Sequence, residues 1–126
     1  MDNKYLGNLG EKIAENFLIN KGYEILDRNY SPKFISGPKR GEIDIIAKIN
    51  DTISFIEVKT LLAQENFLPE DKVDFQKQRK IIKTAQSWLM ERKISFESPW
   101  QVDIIAVNLD PDTKKAKIRF LKNVVG

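Results

Sequence analysis

The stretch GEIDIIAKINDTISFIEVKT, residues 41–60, constrains this chain more than any other. Two runs rich in β-branched and aromatic residues, 42–49 and 52–60, flank Asn50-Asp51. That pair tolerates left-handed backbone and suits a tight turn, so the stretch reads as a β-hairpin. With Asn50 and Asp51 at the centre of the turn, Ile49 faces Thr52 and paired residue numbers sum to 101. Asp44 then lies opposite Glu57, and Glu42 opposite Lys59. Side chains alternate along a strand, so this register expects all four on one face. Facing carboxylates repel. A shared proton, a neighbouring cation such as Lys59, or a divalent metal held by Asp44 and Glu57 would offset the cost. The plain alternative is an exposed polar face with Lys59 paired to Glu42. Ile43, Ile45, Ile46, Phe55, Ile56 and Val58 argue against it, because they make the hairpin apolar on both sides. Acids inside such a hairpin point to a site.

The rest of the chain places the hairpin. Residues 4–21 read as a helix, with Leu6, Leu9, Ile13, Ala14, Phe17 and Leu18 at helical spacing and Gly22 as its stop. Residues 23–30 read as a strand, and 31–41, with two prolines and two glycines, as a loop. After a further loop at 61–71, residues 72–93 read as a second helix striped by Ile81, Ile82, Ala85, Trp88 and Leu89. Strands follow at 100–110 and 115–121. The order is α-β-β-β-α-β-β. A helix between the third and fourth strands is long enough for a crossover, so those two strands are expected to be parallel. The expectation is one domain of the α/β class, residues 1–126, with a mixed sheet flanked by helices.

Composition narrows the chemistry. The chain has no cysteine and no histidine. Disulfides, thiolate sites and every mechanism that needs an imidazole are excluded. A bound metal must sit on oxygen, which suits Mg²⁺ or Mn²⁺. No stretch reaches the roughly 18 apolar residues of a membrane span, and the first residues form no signal-peptide core, so a cytoplasmic location is expected. Net charge is only +3. Local charge is more telling: Lys77, Arg79, Lys80, Lys83, Arg92 and Lys93 face one acid, Glu91, across 76–93, and Lys33, Lys39 and Arg40 face none across 31–41. Such runs are often just solvated, but beside an acidic site they make a phosphate-tracking surface. Gln78 falls in the middle of the second helix's apolar stripe, where a polar amide needs a partner; the alternative is that the helix begins near Gln78 and its first turn is solvated. Glu11 lies at the edge of the first helix's stripe. Asp103 interrupts an apolar strand and is read as capping or pairing with a neighbour.

Asp44 followed by Glu57-Val58-Lys59 after a short hairpin resembles the PD-(D/E)xK nucleases, and the element order is similar to their restriction-endonuclease-like α-β-β-β-α-β core. LGEKIAENFLINKGYEILDRNY, GEIDIIA, FIEVKT, KQRKI and VDIIAV together resemble the YraN-like family, related to archaeal Holliday-junction resolvases. The resemblance runs from Gly10 to about Val107. It implies a metal-dependent endonuclease acting on DNA, with branched or junction forms favoured. Asp44 and Glu57 would be metal ligands for Mg²⁺ or Mn²⁺, and Lys59 the catalytic lysine. Glu11 would complete the metal shell, and Gln78, with Lys77, would face the site from the helix. Lys39, Arg40, Lys77, Arg79, Lys80 and Lys83 would contact nucleic acid. A homodimer is implied by analogy with resolvases. Three features depart from the pattern: Ile43 stands in place of proline, Leu61 in place of a basic residue, and the 31–41 loop is longer. Two other readings stay open: a nucleic-acid-binding module without activity, and a protein-interaction domain.

Overall fold

The structure is a computed structural model and describes residues 3–33, 41–62 and 75–124. Its elements follow the expected order: α1 (Asn3–Asn20), β1 (Glu24–Tyr30), β2 (Ile43–Ile49), β3 (Thr52–Leu62), α2 (Phe75–Glu91), β4 (Trp100–Asp110) and β5 (Lys115–Leu121). The strands form one sheet in the order β1-β2-β3-β4-β5. Among the described residues, only β3 and β4 pair in parallel, across the α2 connection, as expected of a helical crossover. This is the α/β, restriction-endonuclease-like arrangement.

Alternation along the strands builds two cores. Ile45, Ala47, Ile56, Ile105 and Val107 pack with Ala14 and Leu18 of α1. Ile46, Phe55 and Val102 point the other way, onto Ala85, Trp88 and Leu89 of α2. Phe55 anchors this second core, meeting both Trp88 and Trp100 edge to face with ring centroids 5.7 Å apart. The helices therefore cover opposite faces of the sheet. No helix among the described residues is long and apolar enough to cross a membrane.

Helix ends explain two differences from the sequence reading. Gly22 stops α1 as expected, with φ of 97° and its N–H donating to the Ile19 carbonyl. α2 ends at Glu91, two residues early, because Lys93 takes the left-handed conformation at φ of 57°. The Ile94 N–H then donates to the Leu89 carbonyl at 2.8 Å. No glycine marks that stop. The expected start of this helix at residues 72–74 lies outside the described residues. In the other direction, β3 runs two residues past the expected end at Thr60, because β4 keeps pairing with it to Leu62↔Leu109. A bulge between Ile25 and Asp27 re-aims β1. Beyond it, Asp27 accepts from Trp88 Nε1 at 3.2 Å, while Arg28 Nε donates to both carboxylate oxygens of Glu15 at 3.0 Å. Asp103 is fully buried, and its Oδ1 accepts from Gln101 Nε2 at 2.9 Å and the Asn123 N–H at 2.7 Å. It pairs with neighbours, as read.

Candidate functional site

The hairpin register holds. Ladder pairs run from Ile49↔Thr52 to Ile45↔Ile56, and Asn50 turns at φ of 53°. Past Ile45↔Ile56 the ladder gives way to a side chain: the Val58 N–H donates to Asp44 Oδ2 at 2.8 Å. Alternation slips at the same point. Ile43 and Ile45 are two residues apart and ought to share a face, yet Ile43 packs in the α2-side core and Ile45 in the α1-side core.

This slip corrects the expectation that Glu42, Asp44, Glu57 and Lys59 share one face. Asp44 lines a cleft of about 360 Å³ on the α1 side, with Glu11, Val58 and Thr60. A smaller cleft joins Asp44 and Glu11 to Asn8, Lys12 and Arg28. Glu42 and Glu57 instead line a cleft of about 280 Å³ on the α2 side, with Lys77, Lys80 and Thr84. Along β3, Phe55 and Leu61 pack on the α2 side, so alternation gives Glu57 and Lys59 that face too. The register argument assumes a continuous ladder, and the ladder stops one pair short of Asp44 and Glu57.

The acids nevertheless act on each other. Asp44 is half-buried, and loss of water pushes its carboxyl up to about 7. Its bond from the Val58 N–H works against that shift, while the charges of Glu11, Glu57 and Glu42 add to it. Glu11 is also raised, first by burial and then by Glu42. Asp44 thus feels carboxylates from both faces of the sheet. Among the described residues, no three ligating side chains are gathered as a metal cluster. Mg²⁺, however, commonly keeps several waters and takes one or two carboxylates. An all-oxygen donor set in which burial and neighbouring carboxylates raise Asp44 and Glu11 suits such an ion, and a divalent charge would relieve the repulsion.

Two glycines bring the helices close. A Cβ on Gly10 would lie 1.8 Å from Thr60 Oγ1, so α1 rests directly on β3 one residue before Glu11. A Cβ on Gly41 would lie 2.0 Å from Thr84 Oγ1, so the chain meets α2 one residue before Glu42. Thr84 is itself tied, its hydroxyl donating to the Lys80 carbonyl at 2.8 Å. The repeated Gly-Glu pair was the sequence signal for these contacts, and spacing arguments passed over it.

Of the remaining expected residues, Gln78 is half-buried on α2, while Lys77 and Lys80 line the Glu57 cleft. Arg79 and Lys83 are exposed on the same helix. Lys39 and Arg40 lie outside the described residues. The sequence profile of the Uncharacterised protein family UPF0102 matches residues 10–107. The chain belongs to this family. UPF0102 is the YraN family, so the resemblance read from the sequence holds. A UPF0102 protein of Clostridium tetani is 41% identical over 121 residues, covering 96% of this chain and 93% of that protein. A UPF0102 protein of Alkaliphilus oremlandii is 39% identical over 121 residues, covering 96% and 97%. One of Caldanaerobacter subterraneus is 41% identical over 112 residues, covering 89% and 86%. The UPF0102 match spans Glu11, Asp44, Glu57, Lys59 and Gln78, and it stops before β5.

Proposed function

We propose that this UPF0102 protein is a metal-dependent endonuclease that hydrolyses DNA phosphodiester bonds in the cytoplasm and selects branched DNA by shape. One observation carries the reading. Asp44 is a half-buried carboxyl, fixed by the Val58 N–H and raised first by burial and then by three further acids, at the end of a hairpin whose next strand carries Glu57 and Lys59. Asp44 and Glu11, which line one cleft, would hold Mg²⁺ or Mn²⁺ directly or through water, and Glu57, whose charge reaches Asp44 from the cleft on the other face, would join them around the open end of the hairpin. The bound ion would supply Lewis-acid activation of water and neutralise phosphate charge. Asp44, raised to about 7 first by burial, would give up its proton to serve as a ligand. Lys59 places an ammonium two residues from Glu57 on the same strand face, where it orients the attacking water or stabilises charge developing on the phosphate. Gln78 presents an amide from α2. Lys77 and Lys80 grip backbone phosphates at the Glu57 cleft, a contact blind to sequence and sensitive to salt. Cutting both arms of a junction would take two copies of the site, which a homodimer provides.

The division of the acids between two clefts favours a second reading, a DNA-binding module that has lost activity. Labelled junction, flap, duplex and single-stranded DNA, each with Mg²⁺ or Mn²⁺, separate the two. The parent protein is expected to cut, with junction or flap preferred. Lys59→Ala should cut at least about 10²-fold more slowly while binding DNA within about threefold of the parent. A Lys59→Ala variant that cuts at the parental rate removes the lysine from the mechanism. A parent that binds without cutting, and an Asp44→Asn variant that binds equally well, select the inactive module.

A further inference from the structure

From Lys114 to Lys122 the chain carries Lys114, Lys115, Lys117, Arg119 and Lys122 and no acid. Most of this run is β5, the edge strand of the sheet. Alternation sorts it into two faces. Ile118 and Phe120 pack against the α1-side core. Lys117 and Arg119 therefore point to the other face, the one shared with α2, and both are exposed.

The register carries this charge back to the candidate site. Arg119 pairs with Ala106, and Ala106 pairs with Lys59. Lys117 pairs with Asn108, and Asn108 with Leu61. Arg119 thus stands in the same cross-strand row as Lys59, on the same face, with one alanine between them. Strands lie about 4.8 Å apart, so the two cations are rooted roughly 10 Å from each other. Lys117 lies roughly 7 Å further along β5. Ala106 itself is buried with Ile104, in a cluster that Leu61, Ile81, Leu121 and Val124 pack against, while Lys59 and Arg119 flank it. The buried α2 residues Ala85, Trp88 and Leu89 pack with Ile46, Phe55 and Val102, and among the described residues Ile81 is the one from α2 that reaches the Ile104–Ala106 cluster. Lys77 and Lys80, at the N-terminal end of α2, border the same face. Lysines on an edge strand also discourage edge-to-edge pairing. That role accounts for charge on β5, but it does not require Arg119 to share a row with Lys59.

We propose that Lys117 and Arg119 form a second phosphate-binding subsite, in which the DNA backbone runs from Lys59 past the apolar cluster that covers Ala106 to the β5 edge. The partner is a polyanionic nucleic-acid backbone, matched by charge and read without base contacts. The inference rests on the nuclease reading for its direction of travel, since the track is taken to start at the cleavage site.

Fluorescence anisotropy with labelled junction DNA between about 50 and 200 mM salt tests it. Lys117→Ala/Arg119→Ala is expected to weaken binding about tenfold and to lower the slope of log K against log salt by about two. Lys48→Glu changes net charge by the same amount at the exposed turn half of the hairpin. It should weaken binding less than about twofold and leave the slope unchanged. If the double variant melts early, Lys117→Gln alone carries the test, with about a threefold loss and a slope change of about one. Parental affinity and slope in these variants, or an equal loss in Lys48→Glu, overturn the subsite while cleavage by the parent keeps the nuclease reading. A slope change in a protein that never cuts upholds the subsite and removes the nuclease reading. A parent with no salt-dependent affinity for any DNA removes both.

Discussion

The two ends of the β2–β3 hairpin are built on different terms. At the turn end, main-chain pairing is continuous, and side chains divide between the helices: Ala47 and Ile56 go to α1, Ile46 and Phe55 to α2. At the open end a carboxylate takes over from a carbonyl as partner of the Val58 N–H, and acids collect instead of isoleucines. Alternation is a consequence of pairing, so it fails where pairing fails. A hairpin that is well packed at one end can hold repelling charges at the other, because the first end supplies the stability that the second uses up.

The largest test of that division is Phe55→Ala. Phe55 is fully buried and contacts two tryptophan rings, so its loss should cost about 3–5 kcal/mol in urea unfolding. Metal affinity of the protein that remains folded should not change. If metal binding weakens in step with stability, the two ends are not separable.

The second test acts at the open end and has the opposite sign. The Asp44 carboxyl is raised to about 7 by burial and by Glu11, Glu57 and Glu42. Below about pH 4 the group is protonated whether the chain is folded or not, and its contribution to stability is complete. As pH rises toward 7 the unfolded chain releases the proton and the folded one retains it, so stability falls, and above 7 the penalty is constant. In chelator, the parent should lose roughly 2–4 kcal/mol between pH 4 and 8 from this group. Asp44→Asn should remove that loss and be the more stable protein at pH 8. Added Mn²⁺ should stabilise the parent and not the variant. A parent whose stability is flat over this range would show that the acids do not burden one another.

The same contrast explains what could be read from the sequence. Element order, the sum-of-101 register and the parallel β3–β4 pair follow from local turn chemistry, hydrophobic period and crossover length, all of which are short-range properties. The expectation that Asp44, Glu57 and Lys59 act as a group came from the hairpin and from the resemblance. The face that Asp44 takes did not, because it depends on where a ladder ends. The end of α2 was missed because Lys93 does without glycine what Gly22 does with it. The β5 cations were passed over because their relation to Lys59 exists only through two strand registers.

The smallest effect belongs to Gly10, and its sign is informative. In the interior of a helix, glycine to alanine ordinarily stabilises by about 1 kcal/mol. At Gly10 the added methyl meets Thr60 at three atoms, Oγ1 at 1.8 Å, Cβ at 2.9 Å and Cγ2 at 3.0 Å. Rotating the threonine side chain clears the hydroxyl but not its Cβ. α1 must therefore lift from β3, and Glu11, the next residue, lifts with it. Gly10→Ala should cost about 1–2 kcal/mol net and weaken Mn²⁺ binding several-fold. Adding Thr60→Gly should reverse the loss of metal affinity, even though glycine within a strand lowers stability further. Recovery of metal affinity without recovery of stability would separate the placing of Glu11 from the general packing of the helix. A Gly10→Ala protein more stable than the parent would mean that the α1–β3 contact yields freely, and that the open end of the hairpin is no more tightly specified than a surface.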